Sequence, residues 1–346
     1  MKKKAATIRE VSRLSGVSTA TVSRVVNNVG NVSEKTSRKV LNAIDILSYR
    51  INPLASGLKR GKVRTIGVIL ARMDTHYHAQ VLKGIEDALS PEGYAIMFAT
   101  TDNDANKEVF TISNMLSFNV DALIVATSQT EGDCFERIND ENCPVVLIDR
   151  RVPVSNVDII SEENRVSSMR LTKTLTDAGH RKIAVFAGDK RLNLIKERIE
   201  GFIDAMASVG AEYSGEMTVY CQNSAHAAQT ASAEAFGRWR AEGVMPSAAI
   251  CLNSNVTEGV MLAARDMGIS IPDDLSVASF GLLRSRLIVP SVTSVVQEGY
   301  RIGLVAGRQV LKRVGRDAKD IKPCDIVFQN AIQAGDSIKK ITVNNG

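Results

Sequence analysis

The side chains with the clearest capacity for chemistry lie near the start of the sequence. In GVSTATVSRVVNN, residues 16–28, the residues Ala20, Ser23, Arg24 and Asn27 recur at i, i+3, i+4 and i+7 and so share one stripe of a helix. Val22, Val25 and Val26 fall on the opposite side. A small, polar stripe around an arginine, backed by an apolar face, can enter the DNA major groove and present donors to base edges. A solvated helix face is the commoner meaning of such a stripe, and charge decides between the two. Residues 1–62 carry 13 Lys or Arg against three Asp or Glu, whereas the other 284 residues carry 30 against 35. A basic head on a mildly acidic body points to a polyanion met by the head alone.

A second candidate follows in Asn52-Pro53-Leu54-Ala55-Ser56-Gly57-Leu58. Asn at an N-cap and Pro at the first helical position suit a helix start, but two turns containing Gly57 are too short to persist in water. This reads as a linker that becomes helical on docking, with Leu58 an apolar wedge among Lys59, Arg60 and Lys62, as in minor-groove binders. An ordinary basic linker is the alternative. Enzyme signatures are missing: there is no G-x-S-x-G, no H-E-x-x-H and no complete phosphate loop. His76-x-His78 lacks a third ligand, so neither a metal nor a cofactor is expected.

These groups need elements to position them. Ile8, Val11 and Leu14 mark a first helix, Gly16 breaks it, and Ser18 is a good N-cap for a second helix running to about Asn27. A third opens at Ser33, with Val40, Leu41, Ile44 and Leu47 closing a three-helix core. From Thr65 short apolar runs (TIGVIL, AIMFA, ALIVA, VVLID) alternate with helical stretches, and from Val166 a second cycle repeats the pattern (KIAVFAG, MTVYC, AAICL, SVASF). Strict alternation implies parallel sheets with helices on both faces, and two cycles imply two lobes. Ligands of such sheets sit beyond the carboxyl ends of the strands, so facing lobes form a binding cleft. By strand position its lining is Asp74, His76, Tyr77, Asp149 and Arg150, with Asn253, Ser254 and Gly281 across from them. No run of 18 apolar residues exists and MKKK is not followed by an apolar stretch, which places the chain in the cytoplasm. Five scattered cysteines without a C-x-x-C pair agree.

The run T-I-R-E-V-S-R-L-S-G-V-S-T-A-T-V-S-R-V-V-N-N, then N-P-L-A-S-G-L ahead of a two-lobed α/β body, closely resembles the lactose/galactose repressor family of bacterial transcription regulators. The resemblance covers nearly the whole chain. It implies a helix-turn-helix head on a periplasmic-binding-protein-like core, in which Thr19 and Ala20 choose the operator sequence and Thr21, Ser23, Arg24 and Asn27 add DNA contacts. Leu58 matches the intercalated leucine, and Thr7, Ser18, Asn52 and Ala55 complete the expected DNA-binding set. Arg198 and Asn253 match the family's effector-binding arginine and asparagine.

Departures from the family pattern are visible as well. Ser56 and Gly57 replace bulkier or better helix-forming residues. Ser279-Phe280-Gly281-Leu282 lacks the usual Asp after the strand, and Ser254 stands where Asp is common. With two acceptors lost and Arg198, Lys190 and Arg191 present, an anionic sugar derivative is expected over a neutral sugar. The expected organisation is a DNA-binding domain at 1–50, a hinge at 51–62, one lobe at 63–162 with 293–325, and the other at 163–292 with 326–340. No leucine heptads follow Asp336, so a homodimer on near-palindromic operator DNA is expected, repressing carbohydrate genes until a small ligand binds. A solute-binding protein of the same shape, or a regulator with a degenerate pocket, are the alternatives.

Overall fold

A computed structural model describes residues 6–26, 30–49, 63–211, 213, 215–283, 289–315 and 321–341. Two compact units result, one up to Val63 and one from Arg64 onward.

In the first unit, helices α1 (Ile8–Ser15), α2 (Thr19–Val26) and α3 (Glu34–Leu47) surround a core of Val11, Val22, Val40 and Ala43. Thr7 caps α1 in a reciprocal box with Glu10, and Gly16 ends it at φ 70°, a left-handed conformation that glycine adopts without a Cβ penalty. Ser18 starts α2 by accepting from Thr21 N at 3.2 Å, and Ser33 starts α3 by accepting from Thr36 N. Leu41, read from sequence as core, is about half exposed, as is Leu14 on α1, because Val11, Val40 and Ala43 already fill the small interior.

The second unit contains two six-stranded sheets. The first runs β11-β5-β4-β3-β1-β2 and is wholly parallel, from β1 (Thr65–Leu70), β2 (Ala95–Thr100), β3 (Ala122–Val125), β4 (Val145–Ile148), β5 (Asp158–Glu162) and β11 (Asp325–Phe328). The other runs β12-β10-β9-β8-β6-β7, from β6 (Ile183–Ala187), β7 (Thr218–Tyr220), β8 (Ala248–Cys251), β9 (Ser276–Phe280), β10 (Thr293–Val296) and β12 (Ala331–Gln333), in which, among the described residues, β10 and β12 form the one antiparallel pair. Helices α4 (His76–Leu89), α5 (Ala105–Ser117), α6 (Asp133–Asp140) and α11 (Gly299–Val314) pack with the first sheet, and α7 (Asn164–Asp177), α8 (Asn193–Ser208), α9 (Ala225–Ala241) and α10 (Ser254–Asp266) with the second. Polar caps open several of these helices: Thr75, Asp104 and Asn253 accept the first free N–H groups of α4, α5 and α10.

The lobe boundaries differ from those read in the sequence. Residues 293–296 belong to the second sheet and 325–328 to the first, so the chain crosses between lobes three times: after Glu162, between Val296 and Gly299, and between Phe328 and Ala331. A strand's pairing partner, which an isolated apolar run does not reveal, decides its lobe. The returning helix α11 lies against α4 so closely that a Cβ on Gly303 would stand 2.0 Å from Val81 O, and one on Gly84 2.1 Å from Tyr300 O. Its far end is clamped where Arg313 meets Asp158 through two 2.7 Å bonds, with Cys324 N donating to the same carboxylate at 2.8 Å. Burial works against the Asp158 charge, yet Arg313 and the Cys324 N–H prevail and its pKa lies below the ordinary value. No helix among the described residues is long and apolar enough to cross a membrane.

Arg313→Ala leaves a buried carboxylate unpaired and should destabilise the second unit by about 3–5 kcal/mol in chemical denaturation. Replacing Asp158 and Arg313 together by Leu should recover most of that loss. A single-variant cost under about 1 kcal/mol would show that the clamp is not holding α11.

Candidate functional site

The first unit displays α2 with its valine side inward. Thr19, Ala20 and Arg24 are exposed and Thr21 and Ser23 are half-buried, so the small and polar stripe faces outward beside one cation. Ser18 and Thr7 are exposed caps. Asn27, Asn52, Ala55 and Leu58 lie outside the described residues.

In the second unit the carboxyl ends of both sheets face a common cleft. Arg198, on α8, is 3% exposed and its guanidinium lies 3.5 Å above the Phe280 ring. Its Nε donates to Asn164 Oδ1 at 2.9 Å and its Nη1 to Leu252 O at 2.7 Å. Burial lowers its pKa while Asp149, Glu162 and the Tyr77 hydroxyl favour its charge. Asp149 follows β4 in the left-handed region at φ 65° and accepts from Tyr77 Oη at 3.0 Å. Arg150, also buried, donates to Thr127 O at 2.8 Å and to Asn103 Oδ1, and its Nε has no hydrogen-bond partner. Behind it Glu108 is fully buried, accepting from Thr127 Oγ1 and Ser128 N; burial nevertheless keeps its pKa raised.

Asp74, Tyr77, Asp149, Arg198, Asn253, Ser254 and Gly281 thus gather along one cleft, though not all are free to bind. Asp74 pairs with Arg72, which lowers its pKa against the effect of burial, and accepts from Asn255 Nδ2 at 3.1 Å, a bond between lobes. Asn193 Nδ2 makes a second such bond to Arg151 O at 3.1 Å. The Asn253 side-chain Oδ1 caps α10 by accepting from Val256 N at 2.9 Å. His76 is exposed at one end of the cleft, and His78 is half-buried with Nδ1 2.6 Å from Thr75 Oγ1. Gly281 has φ 106°, where any other L-residue would be strained, and a Cβ there would stand 3.2 Å from Gln297 Oε1. Of the cations that suggested an anionic ligand, Arg191 is faced by Asp189 and Arg198 by Asp149 and Glu162, while Lys190 is exposed; Arg150 is likewise faced by Asp149.

Residues missed in the sequence complete the site. Glu162, at the end of β5, accepts from Gln297 Nε2 at 2.6 Å and Glu298 N at 3.1 Å, tying the first crossing to the second. Glu163 Oε1 accepts from Asn330 N at 3.3 Å and from Arg170, which also donates to Asn330 O at 2.8 Å, tying in the third. The strand-end rule that selected Asp149 applies equally to Glu162 and Gln297.

A helix-turn-helix head and a two-lobed core of parallel sheets together define a class, the DNA-binding regulators built on a periplasmic-binding core. Comparison with known proteins narrows it. Residues 7–52 match the model for bacterial regulatory proteins of the lacI family, and residues 63–331 the model for periplasmic binding proteins and the sugar binding domain of the LacI family. Catabolite control protein A of Priestia megaterium is 31% identical over 91% of this chain and 94% of its own length. The HTH-type transcriptional repressor PurR of Actinobacillus pleuropneumoniae serotype 3 (strain JL03) is 28% identical over 97% of this chain and 99% of its own. The lac repressor dimer bound to operator and the anti-inducer ONPF superposes with a TM-score of 0.83 at 21% identity, covering 97% of this chain and all of that one. The chain belongs to the LacI family of bacterial transcription regulators.

Glu162 gives the site a pH dependence. Burial pushes its carboxyl up to about 7, aided by Asp149 and opposed by Gln297, Arg198 and Glu298 N. An ordinary glutamate titrates near 4.5, so between pH 4.5 and 7 the folded chain retains a proton that the unfolded chain has released. Stability should therefore fall as pH rises through that window, by up to roughly 1.4 kcal/mol per pH unit from this group. Denaturation at pH 5 and 7.5 should show a larger loss for the wild type than for Glu162→Gln; equal losses would assign the dependence elsewhere.

Proposed function

We propose that this chain is a repressor that reads a near-palindromic operator as a homodimer and releases it when a neutral sugar enters the cleft. The observation that carries the DNA reading is α2, whose Thr19, Ala20 and Arg24 stand exposed on a helix anchored by Val22. The protein has no catalytic role in this reading, and it works in the cytoplasm, where operators are. Carboxylates facing Arg150, Arg191 and Arg198 favour a ligand offering hydroxyls over one bringing negative charge, which revises the anionic ligand expected from sequence. A match to a family's sugar binding domain supports the same class.

Apolar surface supports the dimer. On the first lobe Phe98, Val109, Phe110 and Phe118 are 38–67% exposed, and on the second a hollow of about 440 Å³ is lined by Met261, Leu262, Ile271, Leu283 and Val289. A second copy of the chain would cover both. The regulator with an unused pocket remains a competing reading, because the innermost part of the cleft measures only about 60 Å³.

Two experiments test this. With an operator selected from random duplexes, Arg24→Ala should lose about 1–3 kcal/mol of specific affinity at fixed salt while affinity for random DNA hardly changes. An equal loss on both would reduce Arg24 to a phosphate contact. Phe110→Asp should shift the sedimentation equilibrium toward monomer, and an unshifted dimer would place the interface elsewhere.

A further inference from the structure

Thr19 and Ala20 stand one and two residues beyond Ser18, the cap of α2, so whatever fixes the start of that helix fixes where they point. The Ser18 carbonyl accepts from Val22 N at 2.9 Å, the first bond of the α2 ladder, which leaves the Val17 carbonyl one residue outside it. That carbonyl is taken by α1. Ser12 Oγ, half-buried in the last turn of α1, donates to Val17 O at 2.6 Å. The carbonyl of the same serine accepts from Gly16 N at 3.0 Å, so Ser12 holds two successive residues of the turn between the helices.

Packing alone would define α2 less well. Apolar contact sets how near two helices lie, but it has no direction and resists a turn of one about its own axis only weakly. The interior of the head is Val11, Val22, Val40 and Ala43, of which α2 supplies Val22, with Val25 and Val26 at its edge. An eight-residue helix held on one valine side can rock with little change in buried area. A hydrogen bond tolerates much less, because it weakens steeply as it bends. Ser15 provides the contrast: its hydroxyl donates to Val11 O at 2.7 Å and reaches Ser12 O at 3.4 Å, both within α1.

We propose that Ser12 is a positioning residue for operator recognition, acting through Val17 to set the angle at which α2 presents Thr19 and Ala20. The inference rests on the DNA reading of α2 and on no reading of the cleft. It separates two terms of binding. Base selection by the exposed side chains of α2 depends on the angle that Ser12 sets, whereas affinity for random DNA comes from cations on phosphates and does not.

The test uses the full chain and a duplex that the wild type selects from a random pool. Ser12→Ala should bind the selected duplex about three- to tenfold more weakly at fixed salt, the scale of one net hydrogen bond, with random-duplex affinity unchanged within about twofold. Alanine is the better helix former, so a melted α1 is not the source of the loss. Ser12→Thr, which keeps the hydroxyl, should recover most of the affinity, and Ser15→Ala, which loses a bond internal to α1, should stay within about twofold of wild type on both duplexes. Without DNA, amide exchange in Ser12→Ala should be faster than in wild type at residues 22–26 and unchanged at residues 38–46. An alanine variant that binds the selected duplex as wild type does, an equal loss on random DNA, a threonine variant as weak as the alanine one, or the same loss in Ser15→Ala would each overturn the proposal. Unchanged exchange at residues 22–26 would overturn it too, and that readout stands even where binding is too weak to measure. A wild type that selects no duplex would sink the DNA reading and this inference together, whereas selection that survives Ser12→Ala would sink the inference alone.

Discussion

The two-lobed body depends on a pair of adjacent carboxylates. Three chain crossings connect the sheets, and Glu162 and Glu163 sit on the first of them, Glu162 accepting from the second crossing and Glu163 from the third. One short segment therefore fixes the relation of all three. Each contact is made in a buried or half-buried setting, where a missing partner would leave an unsatisfied charge or N–H, so the crossings cannot drift independently. Two compact bodies joined by crossings at one edge have the arrangement in which hinge-type rotation is the available movement.

The cleft follows from that constraint. Because the crossings lie at one side, the strand ends of both sheets meet across a narrow space and bring Asp149, Arg150, Glu162 and Arg198 within mutual influence. Burying four charges is costly unless each is faced and hydrogen-bonded. The structure answers with stacking of Arg198 on Phe280, with backbone carbonyls of Leu252 and Thr127 as acceptors, and with Tyr77 as donor to Asp149. Electrostatic neutrality of the site is thus a condition of closing it, and it is also why a count of arginines in the sequence misjudges the charge available to a ligand.

Much of this architecture was legible in the sequence because its signals are local. The 3.6-residue pattern around Val22, the break at Gly16 and the alternation of apolar runs with helices all report on neighbours a few residues away. Placement of Asp149, Arg198 and Gly281 at one cleft follows from the strand-end rule and from resemblance. What escaped depends on partners far along the chain. Residues 293–296 and 325–328 exchange lobes because of pairings with β9 and β5, the first about 15 residues away and the second more than 160. Leu14 and Leu41 point outward because a four-residue core has no room for them. The roles of Glu162 and Glu163 appear only once three distant crossings are seen together.

A ligand can shift the lobes only by the difference in its affinity for the open and closed arrangements. A pocket of about 530 Å³ at the outer end of the cleft is lined from both lobes. In the outer pocket Asn103 and Gln129 come from the first lobe and Arg191 and Asn193 from the second, so a hydroxyl-bearing molecule bonded to both sides adds bridges that exist only when the lobes are closed. Tyr77 and Asp149, which share a hydrogen bond at the inner end of the cleft, both belong to the first lobe, so a ligand that takes over that bond changes no bridge between the lobes. The bridges themselves are Asn255 to Asp74 and Asn193 to Arg151 O. A ligand's effect on closure therefore depends on whether it adds to those bridges or displaces them.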